Sequence, residues 1–103
     1  MERTFDKNLP SIVAMLKKEL PNLRTIYGVE TLSIFGSYSR GEENKLSDLD
    51  LLVTFTDTPG FFQYIRLENH LSELLGIKVD LVMKEALKTK VSENITEDLV
   101  IIP

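Results

Sequence analysis

The first apolar segment, residues 9–20, has the spacing of an amphipathic helix. Its apolar residues recur every three or four positions, so they would share one face of the helix. Asn8 is a favourable N-cap and Pro10 suits the first helical turn, whereas Pro21 is a helix breaker. We therefore predict a helix over 9–20 that stops at Pro21, followed by a connection that runs to residue 30.

A second segment of the same kind covers residues 61–75. Apolar residues lie on one helix face, and Gly76 stands where a C-terminal cap belongs. The segment begins with Phe61 and Phe62, which we place in the core, although a corner between loop and helix could also stack them on a base. We therefore predict a helix over 61–75.

Three short segments are rich in strand-forming residues. Residues 31–36 end at Gly36, and residues 77–83 alternate apolar and charged positions. Residues 48–55 begin with two acidic residues separated by a leucine and continue as an apolar run. We predict a strand for each segment, with the leucines and valines of 48–55 that face away from the acids in the core.

The last part of the chain completes the predicted fold. Residues 85–98 predict one or two short helical turns, and the apolar residues 99–102 predict a short final strand at the sheet edge. The order of elements is typical of an α+β or α/β layer, with a small mixed sheet of three or four strands flanked by helices. We expect a single domain over residues 1–103, because the chain is too short for two independent cores.

The composition is that of an ordinary globular protein, and it excludes several kinds of site. The chain has no cysteine, which rules out disulfides, cysteine zinc sites and thiol nucleophiles. Its 12 basic and 16 acidic residues give a net charge of −4, which argues against direct binding of nucleic acid. No apolar run approaches the roughly 20 residues of a membrane span, and the charged residues 1–7 lead into no apolar signal core. We expect a cytoplasmic protein without a membrane partner.

Three acidic residues fall on predicted strands where their side chains can meet. Asp48 and Asp50 are two residues apart, so both carboxylates point to the same strand face. Asp80 lies in the middle of the third strand, where aspartate is disfavoured, and a neighbouring strand would bring it within about 5 Å of the pair. Like charges this close need a cation, and Mg²⁺ takes oxygen ligands of this kind. The pattern therefore predicts a magnesium site.

A glycine turn follows the first predicted strand. Gly36 and Ser37 end the strand, and Arg40 lies in the polar segment after it. Glycine allows a backbone to approach a ligand closely, and exposed N–H groups in such a turn bind phosphate, with Arg40 adding positive charge. Each of these features alone also fits an ordinary solvated turn or strand end. Together, carboxylates and a phosphate-binding turn favour phosphoryl or nucleotidyl transfer from a magnesium nucleotide.

The spacing of these residues resembles a known family signature. Gly36-Ser37 is followed by the ten residues 38–47 and then by Asp48-Leu49-Asp50. This resembles the pattern of minimal nucleotidyltransferase (MNT) domains, which belong to the DNA polymerase β-like nucleotidyltransferase superfamily. The likeness extends over about residues 26–102, and Ser39 is a mild departure, because a small apolar residue is common there. The resemblance implies the polymerase β-like nucleotidyltransferase fold.

The resemblance also implies a role for each matching residue. Asp48 and Asp50 would hold two Mg²⁺ ions, and Asp80 would be a third ligand that helps to activate the attacking hydroxyl. Gly36 and Ser37 would hold the β- and γ-phosphates of ATP. Attack on the α-phosphorus would then transfer AMP and release pyrophosphate.

The acceptor and the partner are likewise implied by the resemblance. Short MNT proteins are commonly encoded beside a HEPN-domain protein, a helical RNase toxin, and act as its antitoxin by transferring AMP to a toxin tyrosine. The first expectation is thus a protein adenylyltransferase that forms a hetero-oligomer with a HEPN toxin. Two alternatives stay open: transfer to a small-molecule hydroxyl with an acceptor subunit supplied in trans, and a non-catalytic antitoxin that neutralises its partner by binding.

Overall fold

The computed structural model describes residues 8–39, 48–84 and 99–103. Within these residues the chain forms two α-helices, one 3₁₀ turn and four strands. In chain order they are α1 (Leu9–Tyr27), β1 (Val29–Phe35), the 3₁₀ turn (Gly36–Tyr38), β2 (Leu49–Phe55), α2 (Phe61–Leu75), β3 (Val79–Met83) and β4 (Val100–Ile102).

The four strands form one mixed sheet in the order β3-β2-β1-β4. Strand β1 pairs antiparallel with both β2 and β4, whereas β2 runs parallel to β3. The parallel pair needs a crossover, and α2 provides it between β2 and β3. The predictions of a small mixed sheet flanked by helices and of a short edge strand at the end of the sequence are therefore confirmed.

The core lies between the helices and one face of the sheet. It takes alternate residues from each strand and every third or fourth residue from each helix, as the two periods require. Its most deeply buried members, each at most 3% exposed, are Ile12, Leu16, Leu20, Leu23, Val29, Leu32, Ile34, Leu49, Leu51, Val53, Leu67, Leu71, Leu75, Val79, Leu81 and Ile102. We call the opposite surface of the sheet the second face, and it carries Phe35, Asp50 and Asp80, which alternate with core residues.

Helix α1 continues past Pro21 to Tyr27, so the predicted stop at this proline and the predicted connection after it are wrong. Pro21 is exposed and removes one backbone donor, but Leu23 beyond it is 1% exposed and extends the buried stripe. Burial of such a leucine contributes about 1.5–3 kcal/mol, comparable with the cost of the proline. The helix ends at Gly28, whose φ is 72° and whose N–H donates to the Arg24 carbonyl at 3.2 Å.

Helix α2 has the predicted bounds, and Gly76 caps it with a φ of 66°. The prediction that Phe61 and Phe62 lie in the core is wrong, because they are 72% and 76% exposed. Their rings contact each other edge to face, with centroids 5.7 Å apart. The buried stripe of α2 begins only at Leu67, so the first helical turn lies outside the core.

Smaller differences concern the ends of elements. Strand β1 begins at Val29 rather than at residue 31, and its pairing with β2 is irregular between Val29 and Thr31. Strand β3 begins at Val79 rather than at residue 77. The predicted helical turns over 85–98 lie outside the described residues. Among the helices that the structure describes, neither combines the length and the apolar character needed to cross a membrane.

Gly28 offers a test of how the end of α1 is specified. Its positive φ lies in the left-handed region, yet a Cβ added there would meet nothing within 4 Å. Gly28→Ala should therefore act through the backbone alone and lower the free energy of unfolding by about 1 kcal/mol. Urea unfolding followed by circular dichroism measures this change.

Gly60→Ala is the matched control. A Cβ at Gly60 would also meet nothing within 4 Å, but its φ is −71°, which alanine adopts freely. The loss of a glycine N-cap and the reduced entropy of the unfolded chain oppose each other, so we expect a change within about 0.5 kcal/mol. Equal destabilisation by the two substitutions would contradict the backbone explanation.

Candidate active site

Strands β2 and β3 bring two of the predicted acidic residues into direct register. Asp50 pairs with Asp80 across the parallel ladder, and Phe35 of β1 pairs with Asp50 on its other side. Neighbouring strands lie about 4.8 Å apart, so Asp50 and Asp80 are adjacent on the second face. Asp50 is half-buried and Asp80 is exposed. The sheet therefore places two carboxylates side by side, one sheltered and one open to solvent.

Asp48, the third predicted ligand, immediately precedes β2 and is exposed. The start of β2 is held against β3 by the Leu49 N–H, which donates to the Lys78 carbonyl at 2.8 Å. Over residues 8–39, 48–84 and 99–103, no three His, Asp or Glu side chains form a group that could hold a metal ion. The structure thus brings Asp50 and Asp80 together, and Asp48 stands at the strand start without completing a three-carboxylate group.

The donor chemistry of these residues nevertheless suits magnesium. Mg²⁺ is commonly bound by one or two carboxylates, with phosphate oxygens of the substrate and water filling the remaining positions. Asp50 and Asp80 supply such a pair of hard oxygen donors, and Asp48 lies two residues from the first of them. If phosphate oxygens of the substrate and water fill the other coordination positions, the protein does not need to supply every Mg²⁺ ligand itself.

Gly36 lies directly against the Asp50 carboxylate. Its φ is 80°, and a Cβ built on it would overlap the Asp50 Oδ2 and lie 3.1 Å from the Asp50 Cγ. A side chain at this position is therefore excluded twice, once by the backbone conformation and once by the carboxylate. The close approach places the backbone of the glycine turn next to a candidate metal ligand, so a phosphate held by the turn would lie near Asp50.

The turn after β1 is closed by Ser39. Its N–H and its Oγ both donate to the Gly36 carbonyl, at 3.1 and 2.8 Å. Ser37 lies in the middle of the 3₁₀ turn, as predicted from the Gly-Ser pair, whereas Arg40 lies outside the described residues. The sequence pattern did not lead us to predict this role of Ser39, although a serine three residues after a turn glycine is a recognisable signal that its hydroxyl closes the turn.

Tyr64 of α2 is another residue for which the sequence predicted no role. It is half-buried against β3, where its hydroxyl donates to the Leu81 carbonyl, and its ring lies 6.5 Å from that of Phe55, measured between centroids. Burial, together with the negative charges of Glu68 and Asp80, raises the pKa of the Tyr64 hydroxyl above 10.0. The raised pKa indicates a sheltered phenol beside an acidic surface.

Alkaline unfolding tests this environment. Because the folded protein keeps the Tyr64 proton at pH values where the unfolded chain loses it, the stabilisation is complete below pH 10.0 and disappears as the pH rises past the raised pKa. We therefore expect wild type to lose stability more steeply than Tyr64→Phe between about pH 9 and about pH 11 in urea unfolding. Equal slopes for the two proteins would contradict the raised pKa.

The sequence matches a family and a relative over nearly its whole length. The nucleotidyltransferase domain family matches residues 15–102. The protein adenylyltransferase MntA of Thermococcus cleftensis is 42% identical over 94 residues, which cover 91% of this chain and 92% of that protein.

Solved structures agree with this match. A candidate minimal nucleotidyltransferase shares 31% sequence identity with a TM-score of 0.74, and the alignment covers 90% of this chain and 94% of that chain. A complex of tri-AMPylated Shewanella oneidensis HEPN toxin with an MNT antitoxin aligns with a TM-score of 0.63 and 20% identity, over 88% of this chain and 71% of that chain, which shows a shared fold. The predicted resemblance is therefore confirmed, and the chain belongs to the nucleotidyltransferase domain family.

Proposed function

We propose that this chain is a magnesium-dependent protein adenylyltransferase that moves AMP from ATP to a tyrosine hydroxyl of a HEPN RNase toxin, and so acts as an antitoxin. The observation that carries the chemistry is the contact of the Gly36 turn with Asp50, directly opposite Asp80. The protein acceptor is supported by the Thermococcus relative, which bears the name protein adenylyltransferase. The HEPN partner is supported by the shared fold with the antitoxin of the AMPylated complex.

The proposed reaction transfers AMP and one proton, so two bonds form and two break. The tyrosine oxygen attacks the α-phosphorus of ATP and forms the new P–O bond to AMP. The bond between the α-phosphorus and its bridging oxygen to the β-phosphate breaks, and pyrophosphate leaves with the electron pair. The hydroxyl proton passes to the carboxylate of Asp80, whose exposure on the second face lets it release the proton to solvent.

Each residue of the site has a separate task in this reaction. Asp50 and Asp80 would hold Mg²⁺, with Asp48 at the start of β2 as the further candidate ligand, and the bound ion would neutralise charge on the phosphates and on the departing pyrophosphate. The backbone N–H groups of Gly36 and Ser37 hold the β- and γ-phosphates, because the glycine allows the phosphate to approach without a side chain in between. Arg40, just beyond the described turn, adds positive charge to the phosphates.

Replacement of the carboxylates provides the main test. We expect Asp50→Asn to reduce AMP transfer by about 10²- to 10³-fold, because the ligand beside the phosphate turn is neutralised while the fold is kept. Purified chain, ATP, Mg²⁺ and the HEPN protein encoded by a neighbouring gene are incubated together. Intact mass of the HEPN protein counts the AMP groups, and circular dichroism checks the fold of the variant.

Asp57→Asn is the matched control, since Asp57 is an exposed acid in the loop after β2. It removes the same charge and should transfer AMP like wild type.

AMP that accumulates on small molecules and never on the HEPN protein would overturn the protein-acceptor proposal. Full neutralisation of the toxin by Asp50→Asn would instead establish an antitoxin that works by binding.

Gly36→Ala tests the phosphate turn separately from the carboxylates. The new Cβ would overlap the Asp50 carboxylate and displace either the turn or the ligand by about an ångström. A shift of this size typically costs about 100-fold in rate, so we expect at least that loss of AMP transfer. Affinity for a non-hydrolysable ATP analogue with Mg²⁺, measured by calorimetry, should fall as well, and unchanged affinity and rate would contradict the proposed phosphate site.

A further inference from the structure

Three polar residues of α2 form a continuous stripe along the helix. Tyr64, Glu68 and Ser72 are spaced four residues apart, so they lie one above another on the same side of α2. We call them the polar stripe. It runs beside the buried stripe formed by Leu67, Leu71 and Leu75. The leucines pack α2 against the core. The polar stripe beside them therefore faces the edge of the sheet.

The polar stripe binds the outer edge of β3. Among the described strands, β3 is the last on its side of the sheet, so half of its backbone groups point away from β2. The Val79 N–H donates to Ser72 Oγ at 3.0 Å, and the Leu81 N–H donates to Glu68 Oε2 at 2.9 Å. The Leu81 carbonyl accepts from the Tyr64 hydroxyl. Side chains thus take the places that a further strand would occupy.

The bonded residues, Val79 and Leu81, are the two neighbours of Asp80. Backbone groups on both sides of this residue are held by α2 at the outer edge, while the parallel ladder to β2 holds the strand at its inner edge. The register of Asp80 opposite Asp50 therefore depends on both edges. Ser72 is itself fixed, because its Oγ donates to the Glu68 carbonyl at 3.0 Å.

We propose that the polar stripe positions Asp80 for metal binding and catalysis, with Glu68 as its most important member. The inference rests on the proposed nucleotidyl transfer and adds positioning residues to it. Glu68 is half-buried, and its carboxylate accepts a charge-assisted hydrogen bond from the N–H of Leu81, the residue next to Asp80. Residues that orient metal ligands in this way typically contribute about 10- to 100-fold to metal affinity or rate.

Substitution of Glu68 in the full chain tests the proposal. Glu68→Ala removes the acceptor, so we expect kcat for AMP transfer to fall about 10- to 100-fold and the Mg²⁺ concentration for half-maximal activity to rise. Glu68→Gln keeps an oxygen that can accept from the Leu81 amide, and it should recover most of the rate. Glu73→Ala, an exposed glutamate of the same helix, is the control and should match wild type.

The pattern of effects separates positioning from simple destabilisation. A structural role alone would lower the amount of active protein and leave the Mg²⁺ dependence unchanged, which would overturn the proposal. Asp80→Asn combined with Glu68→Ala should be no slower than Asp80→Asn, because Glu68 acts through Asp80, and additive losses would overturn it too. If Glu68→Ala fails to fold, Ser72→Ala takes its place in the same comparison, because it removes the acceptor of the Val79 amide, and Glu68→Gln remains the variant that keeps its acceptor.

A binding measurement distinguishes failure of this inference from failure of the proposed function. Calorimetry with Mg²⁺ and a non-hydrolysable ATP analogue needs no acceptor. If wild type binds both but transfers no AMP to protein, the proposed acceptor is wrong, and weaker Mg²⁺ binding by Glu68→Ala still supports the positioning role. If Glu68→Ala binds Mg²⁺ like wild type, the inference is wrong whatever the acceptor. Wild type that binds no magnesium nucleotide would overturn both.

Discussion

The carboxylate of Asp50 occupies the space in which residue 36 would otherwise carry a side chain. This contact depends on two independent conditions, a left-handed backbone at Gly36 and the antiparallel register that pairs Phe35 with Asp50. A slip of one residue in β2 would turn Asp50 into the core and bring a leucine to the second face. The glycine turn, the strand register and the position of the acidic residues are therefore parts of one constraint.

The two faces of the sheet differ in what they carry: one packs in the hydrophobic core, and the other holds the carboxylates of the candidate site. On the face that meets the helices, Leu49 and Leu51 are completely buried and supply apolar area to the core. On the second face, the residue between them is an acid that lies opposite another acid, an arrangement that is unfavourable for folding by itself. Burial on one side thus stabilises a strand whose other side carries an acid beside a second acid.

The parts of this structure that were predicted from the sequence depend on short-range patterns. The bounds of α2, the Gly76 cap and the alternation around Asp50 each follow from residues close together in the chain. The extension of α1 past Pro21 was not predicted, because the local rule that proline ends a helix was outweighed by burial of Leu23 against residues distant in the sequence. The contacts of the polar stripe depend on β3 being an edge strand, and strand order is not contained in any local pattern.

The outer edge of β3 also has a consequence for how the protein behaves in a crowded solution. An uncovered strand such as Val79–Met83, with four apolar residues out of five, is a template on which another chain can add a strand and begin to aggregate. With the Val79 and Leu81 amides occupied by side chains of its own helix, this template is closed to other molecules. Self-association through β3 is thereby suppressed without adding a charged residue to the strand's buried face.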